Sequence, residues 1–132
     1  MTRGERRSLI AGPAGTLEVA FNVPEGVLRG IALIAHPHPL QGGTLDNKVA
    51  QTLAKTFAAL GYAATRFNFR GVGKSEGQFN EGIGETDDAL AALAAAKVEF
   101  GELPVVLAGF SFGSYVQTRA AHVISAERLV LI

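Results

Sequence analysis

Three short apolar runs dictate what this chain can fold into. "GIALIA" (Gly30–Ala35), "PVVLAGF" (Pro104–Phe110) and "RLVLI" (Arg128–Ile132) carry almost no polar residue. A strand with one face in water alternates polar and apolar positions. A run that is apolar on both faces must be covered on both. Between these runs the period becomes helical. Val49, Leu53, Phe57 and Leu60 recur at helical spacing, with Asp46 or Asn47 to cap the start and Gly61 to end it. "ETDDALAALAAAKV" predicts a second helix, with Thr86 as N-cap, Asp87 and Asp88 at its positive end, and Leu90 and Leu93 facing inward. A third helix is expected from about Gly113 to His122, and "AATRFNF" (Ala63–Phe69) adds a strand.

The first thirty residues read differently. "SLIA" (Ser8–Ala11), the turn "GPAG" and the alternating "TLEVAFN" predict an antiparallel hairpin, with Leu17, Val19 and Phe21 on one face. The expected fold is therefore α/β. It is a three-layer sandwich whose mostly parallel sheet begins with an N-terminal antiparallel hairpin. At 132 residues it fits a single domain, residues 1–132. Ligands in such sheets sit beyond the carboxyl ends of the strands, and here those ends run into loops rich in Gly, His and Ser.

Twelve basic and twelve acidic residues give no net charge, which argues against a nucleic-acid or anionic-membrane partner. Arg3, Arg6 and Arg7 read as a solvated terminus. The absence of cysteine excludes disulfides, zinc thiolates and a cysteine nucleophile. The N-terminus lacks the apolar core of a signal peptide, and no apolar run reaches the roughly 18 residues a membrane helix needs. A cytoplasmic protein without cofactor or metal is the expectation.

Two loops compete for the chemistry. "FNFRGVGKSEG" (Phe67–Gly77) contains Gly73-Lys74-Ser75, the end of a phosphate-binding loop. The first glycine of that motif would fall at Asn68, however. "EGQFNEGIG" after Ser75 starts no helix to aim N–H groups at phosphate, and no apolar strand ends in an Asp for magnesium. The other loop fits its surroundings. "PVVLA" runs into Gly109-Phe110-Ser111-Phe112-Gly113, a G-x-S-x-G pattern between an apolar strand and a helix. That chemistry needs Ser111 at a sharp turn with its hydroxyl projecting, and glycines on either side so that strand and helix can approach. The Phe112 backbone N–H is then one oxyanion donor. The second should come from "HPHPLQGG". Pro37 and Pro39 have no N–H, which leaves His36, His38 and Leu40, with His38 first and His36 as a brace of the loop.

"HPHPLQGGTLDNKV", "FRGVGKSEG" and "GFSFG" resemble, in order and spacing, small bacterial members of the α/β-hydrolase superfamily near the dienelactone-hydrolase and serine-esterase/peptidase groups. The resemblance runs from Gly30 to Ile132. It implies that the His-Pro loop is the oxyanion loop, that Arg70–Ser75 borders the active-site mouth, and that Lys74 faces solvent. It also implies a triad in the order Ser, then Asp or Glu, then His. After Ser111 stand only His122 and then Glu127, in the reverse order. His122 lies eleven positions along the helix, roughly 15 Å from the serine, and Glu127 belongs at the opposite end of the sheet. His36 and His38 are on the oxyanion side, with no evident carboxylate to orient either as a base.

The resemblance therefore implies that the acid and histidine come from strand–helix units beyond Ile132, and that this chain is the N-terminal portion of the fold. "RLVLI" would then be an exposed apolar edge, a site for self-association. The expected function is a serine hydrolase acting on the ester, thioester or amide carbonyl of a small molecule. The alternative is a catalytically incomplete fragment or binding module of the same fold.

Overall fold

The computed structural model describes residues 2–132, with side chains from residue 4 onward. One six-stranded sheet runs in the order β1-β2-β4-β3-β5-β6. β1 (Thr2–Gly12) and β2 (Gly15–Pro24) form the hairpin, and β2 also pairs antiparallel with β4 (Tyr62–Phe67). β3 (Gly30–Ala35) lies parallel between β4 and β5 (Val105–Gly109), and β6 (Arg128–Leu131) adds parallel to β5. β1 is longer than the hydrophobic pattern predicts, because its polar half still pairs with β2. Arg6 and Arg7 are exposed, as expected, and also ion-paired. Arg6 bonds Glu99 and lies over the Phe21 ring, while Arg7 pairs with Glu5 and, at 2.5 Å, with Asp46. The side chain of Arg3 lies outside the described residues.

The three-layer expectation holds, with the helices on opposite faces. α1 (Lys48–Ala59) packs on the face carrying Ile34, Ala64 and Ala108. α2 (Ile83–Phe100) and α3 (Phe112–Ala120) cover the face carrying Leu17, Val19, Ile31, Leu33, Phe67 and Leu107. Each fully buried side chain of this size contributes roughly 1.5–3 kcal/mol, which makes the two-sided cover the main stabilising term. Within α1 it is Ala50, Ala54 and Ala58 that are buried, while Leu60 is half exposed. Small side chains let the helix sit close on the sheet, and the larger Leu53 and Phe57 flank the contact. Asn47 is the cap, its Oδ1 accepting from Val49 and Ala50 N–H.

The start of α2 differs from the expectation. Its N-cap is Gly82, not Thr86. Thr86 is buried inside the first turn and donates its hydroxyl to the Gly82 carbonyl. The capping role falls to the buried Glu85 carboxylate, which accepts from the Gly82 N–H at 2.9 Å and the Asn80 N–H at 2.7 Å. Asp88 is also buried and spends its charge on Arg70 rather than on the helix end. At the far edge β6 leaves Leu129 and Leu131 39% and 49% exposed, and Ile132 after it 55%, so this strand is the exposed apolar edge expected of it rather than one covered on both faces.

Candidate active site

β3, β4 and β5 are parallel, so their following loops emerge at one end of the sheet. The first is the His-Pro loop, the second begins at Asn68, and the third is the turn at Ser111. At that turn β5 ends and α3 begins within three residues. Ser111 is exposed at the apex with φ 57° and ψ −118°, a conformation that costs a non-glycine residue about 1–3 kcal/mol. Surrounding bonds hold it there. Ser111 N–H donates to the Ile132 carbonyl at 2.8 Å, and its own carbonyl accepts from Ser114 N–H at 2.9 Å. Phe110 N–H donates to the Ala35 carbonyl at 3.2 Å, which ties the turn to the end of β3.

The two glycines are required by contact. A Cβ on Gly109 would lie 2.5 Å from the Gly113 carbonyl carbon, and one on Gly113 would lie 2.1 Å from the Ala35 oxygen. Farther along α3, the buried Gln117 donates from Nε2 to the Leu33 and Ala108 carbonyls, at 2.9 and 3.0 Å. The helix is thereby fixed against both central strands.

A helix leaves its first N–H groups without intrahelical partners. Here Gly113 and Ser114 N–H turn back to the Phe110 and Ser111 carbonyls. Among the described residues, Phe112 N–H is left without a protein acceptor. The His-Pro loop lies alongside, with the His38 ring 4.8 Å from that of Phe112 and 5.0 Å from that of Phe79. His38 N–H likewise has no protein acceptor among the described residues. Leu40 N–H is used up, because it donates to His38 Nδ1 at 3.1 Å. That removes one of the three donors the sequence left open.

His36 is buried beneath the loop. Its Nε2 accepts from Phe69 N–H at 3.1 Å and its Nδ1 lies 2.7 Å from the Pro37 carbonyl oxygen. Burial pushes the imidazole down to about 4, against the opposing pull of that carbonyl. The brace expected of His36 is what its contacts describe.

The Gly-rich loop after β4 is held from beneath. The buried Ser75 donates its hydroxyl to the Asn68 carbonyl and accepts from Glu18 N–H, at 2.7 and 2.9 Å. Glu18 Oε1 accepts from Asn68 Nδ2 and from Lys74 N–H, at 2.8 and 2.9 Å. The Lys74 side chain is exposed, and the next helix begins only at Ile83. Ser75 and Asn68 are thus spent on internal bonds, as the rejection of a phosphate loop requires. Arg70 leaves the same loop for Asp88, bonding it through both the backbone N–H and the guanidinium, and donates to the Gly84 carbonyl at 2.8 Å.

α3 ends at Ala120, so His122 is not on the helix as expected but exposed in the turn that follows. Glu127 donates its N–H to the Val105 carbonyl at the start of β5, the end away from Ser111. Among the described residues, none of the three histidines has a carboxylate partner. A surface groove of about 320 Å³ lies between β1 and α2, lined by Arg6, Phe21 and Glu99, and shares no residue with the three loops.

Hairpin, crossed parallel strands and helices on both faces match the α/β-hydrolase fold. The chain belongs, specifically, to the family described as serine aminopeptidase, S33, which matches residues 40–132. It is similar to an α/β serine hydrolase homologue from Coxiella burnetii, at 43% identity and TM-score 0.91 over 99% of this chain. It is also similar to a lid-less α/β serine hydrolase from Xanthomonas campestris, at 36% identity and TM-score 0.91 over 99% of this chain. The chain spans 62% of each of those two proteins. An uncharacterized protein of Rickettsia prowazekii is 40% identical over 111 residues, 75% of this chain and 47% of that one. Among the described residues no helix is long and apolar enough to cross a membrane, and no group of His, Asp and Glu is arranged to hold a metal ion.

Proposed function

We propose that this chain carries the nucleophile and oxyanion half of a serine hydrolase. Ser111 attacks the carbonyl carbon of an ester, thioester or amide, and the Phe112 and His38 N–H groups stabilise the charge that develops on the oxygen. The single observation behind this reading is the exposed Ser111, held at φ 57° at a strand-to-helix turn with a free N–H on the following residue. A structural turn gains nothing from placing a non-glycine residue in that conformation, whereas a nucleophile that must project above a sheet does.

Among the described residues, no histidine with a carboxylate partner is gathered at Ser111. That fact favours a second reading of residues 1–132 taken alone, as a folded unit that binds without turnover. The two readings separate in one assay. The intact protein hydrolyses a nitrophenyl ester, and Ser111→Ala abolishes the activity. Turnover that survives Ser111→Ala overturns the first reading. Turnover by residues 1–132 alone overturns the second.

A further inference from the structure

We infer that His36 is a positioning residue that sets the direction of the His38 N–H by holding the carbonyl of the same peptide group. The inference rests on the oxyanion role proposed for His38 and adds what aims it.

The carbonyl of Pro37 and the N–H of His38 belong to one peptide unit. In a planar trans peptide these groups point in opposite directions, and the described residues contain no cis bond. Fixing one therefore fixes the other. Phe69 N–H can only donate, so Nε2 of His36 must accept, and a neutral ring then carries its proton on Nδ1. That proton points at the Pro37 oxygen, 2.7 Å from Nδ1.

The ring itself cannot swing away. It is 1% exposed and packs edge-on against Phe69, with the centroids 4.6 Å apart. The other side of the peptide is closed as well. A Cβ on Gly43 would lie 2.1 Å from the Pro37 oxygen, so the carbonyl is enclosed between the imidazole and the Gly43 backbone. The His38 carbonyl is satisfied by Gln41 and Gly43 N–H, at 3.1 and 3.0 Å. The His38 N–H, directed away from the buried ring, is the polar group of this pair of peptides that stays free. His36 thus spends both ring nitrogens on backbone. One ties the loop to the end of β4, and the other orients the donor.

Two amide variants divide these bonds. The Asn amide nitrogen reaches the Nδ1 position and can donate to Pro37, and the Gln oxygen reaches the Nε2 position and can accept from Phe69. The readout is the rate of an oxygen ester against its thionoester, because the larger sulfur anion profits little from N–H donors. In the intact protein, His36→Gln lowers kcat on the oxygen ester by about 10²-fold with KM little changed, and the oxygen/thiono ratio collapses. His36→Asn restores the ratio. Equal losses on both substrates, or a ratio unchanged in His36→Gln, overturn the inference. A second measurement needs no turnover and no variant. The imidazole ¹⁵N resonances of His36 at neutral pH show a protonated Nδ1 and a bare Nε2, and the opposite tautomer overturns the inference. Ser111→Ala in the same assay keeps the readings apart. Its full activity defeats the serine nucleophile, while the ¹⁵N result still judges His36.

Discussion

Replacing Gly113 with alanine tests the packing that places Ser111. The new methyl would sit 2.1 Å from the Ala35 oxygen, more than about 1 Å inside ordinary contact, and 2.7 Å from the His36 oxygen. Both neighbours are backbone at the end of a central strand, so no side chain can rotate away. Overpacking of this kind costs about 1–3 kcal/mol, and rigid neighbours place it near the top of that range. Alanine returns about 1 kcal/mol through its better helix propensity. The net loss is about 2 kcal/mol, which lowers a urea midpoint by roughly 1 M at a typical slope of about 2 kcal/mol per M. Activity suffers more. Relief of the clash moves α3, and with it Ser111 and Phe112, about 1 Å from the His-Pro loop, which is worth about 10²-fold in rate. Urea titration and ester hydrolysis on one preparation measure both. A midpoint that stays put or rises would refute the close approach of α3 to β3.

Three other perturbations probe separate parts of the account. Asp88→Asn leaves the nearly buried Arg70 guanidinium without its buried counter-charge and should cost about 3 kcal/mol, read from thermal unfolding. His36 has its folded-state value lowered to about 4 from an ordinary 6.5, so the unfolded chain takes up a proton first as pH falls. Its contribution is complete above 6.5 and is lost between about 6.5 and 4, roughly 3 kcal/mol in all. Denaturant midpoints across that window should fall for the natural chain and stay flatter in His36→Gln, and equal slopes would contradict the assignment. The 132-residue chain should self-associate through the Leu129 and Leu131 edge of β6, and Leu131→Lys should shift sedimentation toward monomer.

The sheet and the serine turn were legible because each leaves a local pattern in the sequence. Gly30–Ala35 and Pro104–Phe110 are apolar on both faces, and only a strand covered on both sides accepts such a run. The glycines flanking Ser111 stand at a fixed spacing from it, so the pattern announces the turn, although the Ala35 carbonyl that makes Gly113 necessary lies far away in sequence. What stayed hidden depends on partners distant in sequence. Thr86 looked like a cap because Thr-Asp-Asp commonly opens a helix. Glu85 took that role from within the core, and Asp88 turned to Arg70, eighteen positions earlier. Glu18, Asn68 and Ser75 join across more than fifty residues to hold the Gly-rich loop, and nothing in their local pattern signals it. In α1 the large residues marked the helix correctly. Close approach to the sheet then selected the alanines for burial, because a Leu or Phe there would push the helix away. The aim of the His38 N–H was out of reach for the same reason, since it depends on a tautomer fixed by Phe69.

The central claim is that Ser111 is the nucleophile, and covalent capture tests it most directly. The intact protein is treated with a fluorophosphonate and digested, and the adduct is located by peptide mass spectrometry. A single phosphonylated residue, Ser111, is expected, with no adduct in Ser111→Ala. A protein that turns over ester while its phosphonyl group sits on another residue would contradict it.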